Sequence, residues 1–261
     1  MRFSRKQLGI PYAVFLVCFV IAPLLVVLYY AFTNGQGQFT VQNFVNFFTS
    51  ENTIGTLAYS LVTAMTVTAC CTLVAYPVAY ILARSDIKKK NVLLVLFIAP
   101  MWINFTLRVV ALKEVLTMVE GNLAYHPFLN TVLGMTYDFL PFMILPLYTT
   151  LEKLDKSYLE AAADLGASPV ITFMKVTLPL SMPGLISGVT MVFLPSMTNY
   201  VILDMLYNST YIMGSLIGSY FHAYDWNSGS MISIVLLAII FLVTWATNGF
   251  SEEETTRGAF L

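Results

Sequence analysis

Long stretches without a charged residue alternate with short charged clusters along this chain. The charge-free intervals are 7–50, 52–83, 91–107, 176–203 and 226–251, and a further apolar run, 127–151, is interrupted by Asp138 alone. A membrane-spanning helix needs roughly 20 apolar residues. The runs are continuous rather than alternating, which selects helices over strands, and only helices or closed barrels satisfy their backbone in lipid. Trimmed to their apolar parts, the runs predict six spans at about 8–32, 56–83, 91–107, 128–150, 181–203 and 231–248. The expected fold is therefore an all-α integral membrane protein, a single transmembrane domain over 1–261 with one long loop at 152–176.

Composition agrees with lipid as the solvent. Of the residues, 58% are hydrophobic and 10% charged, against about 25% charged in a typical soluble domain. A net charge of −1 offers no field for nucleic acid. No GxxxxGK[ST] loop occurs, so this chain does not bind ATP by that motif. Cys18, Cys70 and Cys71 all lie in apolar runs without metal-ligand spacing and read as small core residues. The basic start, Met1–Lys6, precedes an apolar stretch, Leu8–Phe32, that is too long for a signal-peptide core and reads as a retained first span.

Orientation follows from lysine and arginine. With the N-terminus inside, Arg2, Arg5, Lys6, Arg84, Lys88, Lys89, Lys90, Lys153, Lys156, Lys175 and Arg257, 11 of 13 basic residues, lie inside. Only Arg108 and Lys113 then lie outside, so both ends are expected in the cytoplasm. Pro23, Pro77, Pro100, Pro141, Pro146 and Pro195 fall within spans, where each removes a helical hydrogen bond. Such kinks serve packing or line a pathway.

The loop Glu152–Lys175 reads EKLDKSYLEAAADLGASPVITFMK. Asp155 can cap a first short helix. Gly166 sits where a left-handed terminal position is needed. Ser168 can cap a second helix with Pro169 at its first position, and Val170, Phe173 and Met174 give that helix an apolar face. Leu178-Pro179 is expected to end that helix before the next span. A helix–glycine–helix elbow is a rigid protrusion suited to a groove in a soluble partner. Glu160 and Asp164, four apart on one face, can meet cations there.

Glu160-Ala161-Ala162, three residues, Gly166, nine residues, Val176, one residue, then Leu178-Pro179 resembles the EAA signature of bacterial ABC importer permeases, with Val176 for the usual Ile. The segments Tyr76–Arg84, Pro100–Arg108, Leu140–Ser168 and Leu178–Gly188 and the Asp225-Trp226 pair are similar to spermidine/putrescine permeases of the PotB type. The stretch between Arg108 and Tyr137 looks shorter than in familiar members.

The resemblance implies a type I importer permease fold in a bacterial cell membrane, with this loop as the coupling helix that receives the ATPase stroke. It implies an ATPase-coupling set of Glu160, Ala161, Ala162, Asp164, Gly166, Ser168, Leu178 and Pro179. Implied partners are a second, homologous permease, two copies of an ATPase that uses ATP and Mg, an extracytoplasmic binding protein, lipid and a polyamine. This chain is expected to bind no cofactor or metal and to perform no covalent chemistry.

A polyamine pathway needs carboxylates and aromatic faces. The outer segments hold Glu51, Glu114, Glu120, Asp204 and Asp225 against Arg108 and Lys113, a net acidic face that attracts cations. Asp138, near the middle of a span, costs about 2.5–3.5 kcal/mol to insert; it is either a pathway carboxylate or an internally bonded packing residue. Trp102 and Asp204 are carried over from the resemblance, and Asn104, Asp225 and Trp226 complete the candidate pathway. Tyr207 and Tyr211 are weaker candidates. Arg108 either snorkels, pairs with an acid or meets the binding protein. Ser60, Thr63, Thr66, Ser196, Thr198 and Asn199 serve helix packing or, as the lesser alternative, line a pore.

Three alternatives stand beside polyamine import. The cargo could be thiamine, iron or a phosphonate. A proton-coupled carrier could use Asp138. An intramembrane enzyme is disfavoured by the absence of HExxH, GxSxG and paired intramembrane aspartates.

Overall fold

The computed structural model describes residues 5–85, 87–206 and 208–258, with backbone alone for 5–10 and 246–258. Arg2 and Tyr207 lie outside the described residues, as do the side chains of Arg5, Lys6 and Arg257. The helices are α1 (Arg5–Leu16), α2 (Ala22–Ala31), α3 (Gln42–Thr49), α4 (Glu51–Arg84), α5 (Lys90–Ile98) and α6 (Phe105–Glu120). They continue with α7 (Pro127–Lys153), α8 (Ser157–Asp164), α9 (Pro169–Thr172), α10 (Leu178–Thr198), α11 (Tyr200–Met205), α12 (Met213–His222) and α13 (Trp226–Gly258). No β-strand occurs among the described residues; Thr33 and Phe39 form one isolated bridge.

Among the described residues, five helices are long and apolar enough to cross a membrane: Pro11–Ala31, Glu51–Arg84, Pro127–Lys153, Pro169–Thr198 and Trp226–Trp245. A sixth span forms only if the bent pair Lys90–Trp102 and Phe105–Glu120 counts as one. Here the structure differs from the straight span expected at 91–107. Pro100 lacks an N–H and tightens the chain into a 3-10 turn, Ala99–Trp102. Asn104 then caps α6, its side chain accepting from Leu107 N at 3.4 Å. The two arms meet at 100°. The span expected at 181–203 likewise breaks at Asn199, where ψ is 82°, before the short α11.

Two compact units divide the chain: 1–58 with 213–241, and 59–212 with 242–261. In the first unit, a π-helical turn, Val17–Ile21, joins α1 to α2. The wider turn relieves the ladder beside Pro23, which has no N–H to give. Two amides satisfy the carbonyls that end α2. Asn43 Nδ2 donates to Ala31 O and Thr33 O, both at 3.0 Å. Asn227 Nδ2 donates to Tyr30 O at 3.0 Å and Thr33 O at 2.6 Å. The α12–α13 turn is a Schellman pairing, Asp225 N to Tyr220 O and Tyr224 N to Phe221 O. Tyr224 takes the left-handed position usually given to glycine, at φ 59°.

In the second unit the most extensive pairing joins α7 to α10. On α7, Met143, Ile144, Leu147 and Leu151 share one fully buried helical face. On α10, Gly184 and Gly188 stand four apart, so the two backbones meet closely. A Cβ added at Gly184 would lie 2.7 Å from Pro146 O, and one at Gly188 would lie 2.5 Å from Met143 Sδ. Lipid gives no hydrophobic drive between helices, so such small-residue packing holds them. Asn208 adds a buried polar tie, donating to Tyr59 Oη at 3.0 Å and Thr131 Oγ1 at 2.8 Å.

Candidate functional site

The loop between α7 and α10 folds as the sequence predicts, with two differences. Leu178-Pro179 does not end the second helix: a π-helical turn accommodates the N–H that Pro179 lacks, and the helix runs on over Pro169–Thr198. The α8 N-cap is Lys156, not Asp155. Asp155 sits one residue earlier and its Oδ1 accepts from Ser157 N at 3.0 Å, which holds its carboxyl below the usual aspartate range. Gly166 has φ +77° and closes a Schellman pair, Ala167 N to Ala162 O at 3.0 Å and Gly166 N to Ala163 O at 2.8 Å. Nothing lies within 4 Å of a Cβ placed there, so its requirement is conformational, not steric. Ser168 caps α9, accepting from Ile171 N at 3.4 Å, with Pro169 at the first turn. Ala162 is buried beneath the elbow, whereas Glu160, Ala161, Asp164 and Ser168 are exposed. Leu178 is half-buried and Pro179 exposed at the start of α10.

The elbow is tied to the helices around it by contacts that no local motif announces. Phe173 opens a π-helical segment, Phe173–Thr177, that joins α9 to α10. Its ring meets Tyr76 at 5.5 Å and Tyr80 at 5.8 Å, both edge to face. Tyr76 and Tyr80 are one helical turn apart on α4, the signal that could have marked them as a pair. Tyr76 Oη lies 2.6 Å from Ser181 Oγ. Ser181 in turn donates to Leu178 O at 2.9 Å, so Tyr76 is the donor. At the other root of the elbow, Arg84 Nη1 donates to Leu154 O at 3.1 Å and Lys90 Nζ lies 3.0 Å from a Glu152 carboxylate oxygen.

The pathway candidates are scattered. Trp102 is exposed at the α5–α6 bend and Asn104 is the α6 cap. Asp138 is buried in α7 and ion-paired with Arg108, itself 7% exposed. Asp204 is exposed on α11. No hydrogen bond or ion pair among the described residues joins Trp102, Asp138 and Asp204. In the first unit, Trp226 packs against Phe221 at 5.5 Å and Tyr30 at 6.5 Å along an apolar groove. Its neighbour Asp225 caps α13 through Ser228 N at 3.0 Å and lines a separate, polar cavity. Thr63 is buried and its hydroxyl has no hydrogen-bond partner among the described residues, while Ser196 Oγ bonds back to Val192 O at 2.7 Å. Among the described residues, no group of three or more His, Cys, Asp and Glu side chains can hold a metal.

Apolar spanning helices with a Gly166 elbow between two of them define a membrane permease, and the family comparison agrees. The model of the binding-protein-dependent transport system inner membrane component family matches residues 8–251. The chain belongs to that family. It is 34% identical over 272 aligned positions to the spermidine/putrescine transport system permease protein PotB of Haemophilus influenzae, covering 95% of this chain and 94% of that one. It is 34% identical over 217 positions to the Escherichia coli K12 protein of the same name, covering 76% and 79%. Among solved structures it is similar to a chain of a bacterial alginate ABC transporter in complex with an alginate pentasaccharide-bound periplasmic protein. That match has a TM-score of 0.73 at 13% identity, covering 95% and 93%. A chain of the MetNI methionine ABC transporter gives 0.59 at 17% identity, covering 78% and 99%. These last two likenesses speak for the fold.

Proposed function

We propose that this chain is a permease subunit of an ATP-driven importer of polyamines, forming half of the translocation pathway and coupling to a separate ATPase. The observation that carries the coupling role is the elbow, with the signature spacing kept, Val176 in place of the usual Ile, and Gly166 left-handed between α8 and α9. The cargo is supported by the 34% identity to permeases named for spermidine and putrescine, over nearly the whole chain. It is further supported by the excess of acidic over basic residues in the segments read as external.

In this reading both chain ends and the elbow face the cytoplasm. Two ATPase copies grip the elbows of this chain and of a second permease, and an extracytoplasmic binding protein delivers the cargo. The apolar window of the first span, unburied within this chain, suits lipid and that second permease. ATP binding favours one of two states of the assembly, and hydrolysis with Mg resets it. The chain's own part is mechanical. Glu160 and Asp164 meet ATPase cations, Gly166 and Ser168 keep the elbow rigid, and Leu178-Pro179 passes displacement into α10. Trp102, Asn104, Asp204, Asp225 and Trp226 are the residues proposed to meet the cargo. Asp138 serves as the counter-ion of Arg108.

The test is ATP hydrolysis by the reconstituted transporter in the presence of its binding protein. Spermidine or putrescine should stimulate hydrolysis, and thiamine, ferric iron or a phosphonate should not. Stimulation by one of the latter alone would overturn the cargo. Labelling of a cysteine placed at Ser168 from the external medium of intact cells would overturn the coupling role.

A further inference from the structure

In the first unit, α3, α12 and the start of α13 supply the walls of a polar cavity of about 280 Å³. At roughly 30 Å³ per water, this is space for on the order of nine waters. Its lining includes one charged side chain, Asp225, and no lysine, arginine or histidine. The hydrogen-bond accounting leaves acceptors over. Asp225 Oδ1 accepts from Ser228 N, and no described residue donates to Oδ2. Asn43 spends both amide hydrogens on Ala31 O and Thr33 O and keeps only its carbonyl oxygen. Asn46 Oδ1 accepts from Gln42 Nε2 at 2.9 Å, leaving one amide group as donor.

Charge decides which class of ligand fits. The N-terminal end of α13 already stabilises Asp225, and a free anion would stand beside that carboxylate with no cation to offset it. Divalent cations favour sites with more than one carboxylate, and this lining offers one. A primary ammonium group carries three donors and no acceptor, as a lysine head group does. An aromatic face beside it adds a cation–π contact, and Tyr220 lines the cavity.

We propose that this cavity binds the primary ammonium end of a flexible alkylamine. Asp225 Oδ2 and Asn43 Oδ1 accept its hydrogens, and Phe47 and Ile232 border its methylenes. The natural ligand, a polyamine, rests on the function proposed above; the ammonium site itself does not. With the chain ends in the cytoplasm, the α12–α13 turn lies where cargo arrives.

Asn is as good a helix cap as Asp, so Asp225→Asn removes the charge and keeps the cap. The experiment follows thermal unfolding of the purified intact transporter titrated with putrescine dihydrochloride, with propylammonium chloride, and with KCl at matched ionic strength. Both amines should stabilise the wild type beyond KCl, and Asp225→Asn should need at least about tenfold more amine for the same shift. Equal responses of the two proteins to amine, or equal effects of amine and KCl on the wild type, would overturn the site. Asp225→Ala reports the cap separately, by lowering the unliganded midpoint. Should the wild type respond to amines yet import no polyamine, the cargo reading falls and the ammonium site stands.

Discussion

The guanidinium of Arg108, in the first turn of α6, is ion-paired with the carboxylate of Asp138, in the middle of α7, and both side chains are buried. This pairing ties α6, the second arm of the bent α5–α6 segment, to α7. It also neutralises a fixed positive charge that would oppose a cation nearby. Arg108 Nε and Nη1 have no partner among the described residues, so the pair is costly to hold and costlier to break.

Removing one member alone leaves the other charged and buried, at about 3–5 kcal/mol. Asp138→Ala and Arg108→Ala should each lower the unfolding midpoint of the purified protein sharply. Arg108→Met combined with Asp138→Leu should recover most of the loss, because apolar replacement of a buried pair is often neutral. A double variant as unstable as the sum of its parts would show that the two do not act as a pair.

Gly166→Val places a β-branched residue at φ +77°, where an L-residue costs about 1–2 kcal/mol. The Cβ meets nothing within 4 Å, so the damage is to the elbow's shape, not to packing. Membrane insertion should persist while co-purification with the ATPase and substrate-driven hydrolysis are lost. Gly166→Asn, which tolerates left-handed backbone better, should retain part of both.

Close approach of α7 and α10 makes Gly184 sensitive to a single methyl. Gly184→Ala would set a Cβ 2.7 Å from a backbone carbonyl, and overpacking of this kind costs about 1–3 kcal/mol. Gly218→Ala, with nothing within 4 Å, should be neutral or slightly stabilising. Thermal denaturation of the two variants side by side checks the contrast.

Phe173 joins the elbow to α4 through its ring contacts, as well as to α10 along the chain. Phe173→Ala removes two ring contacts, each worth about 0.5–1.5 kcal/mol. It should raise the ATP consumed per molecule imported while the ATPase still binds. Tyr76→Phe keeps both rings and gives up only the bond to Ser181, about 0.5–1.5 kcal/mol, so its coupling ratio should lie closer to wild type. Uptake and hydrolysis measured together in proteoliposomes supply the ratio.

Asp155 gives the start of α8 a pH dependence of known sign. Its pKa is lowered from 3.8 by the Ser157 N–H, so the folded form holds the proton less tightly than the unfolded one. The contribution is therefore full above pH 3.8 and fades as pH falls through the lowered value. Protection of the Ser157 amide, measured as its exchange rate relative to the unstructured chain at the same pH, should fall in that acid range, and Asp155→Ala should show the reduced protection at neutral pH.

The elbow was legible residue by residue because its signals are local. A left-handed glycine, a serine cap and a proline at the first turn act within four residues of each other. Asp155 falls one position before the cap because an aspartate bonds equally well to an N–H two residues on or at the helix start. The third span reads as straight because apolar count carries no direction; Pro100 and the Asn104 cap together declare the turn. The partner of Asp138 lies thirty positions earlier, beyond any local pattern. The Phe173 contacts with Tyr76 and Tyr80 are equally non-local. The acceptor-rich cavity around Asp225 depends on Asn43, whose hydrogens are committed to carbonyls that a sequence does not show as open.

Asn227 closes a ring of chain that takes time to complete. Its bonds to Tyr30 O and Thr33 O join positions 197 and 194 residues apart. At about 5–20 residues per second of synthesis, on the order of 10–40 s separate the appearance of those carbonyls from the arrival of their donor. During that interval the growing chain holds the end of its first span short of half its lasting amide ties. Until Asn227 is made, that end rests on the Asn43 bonds alone.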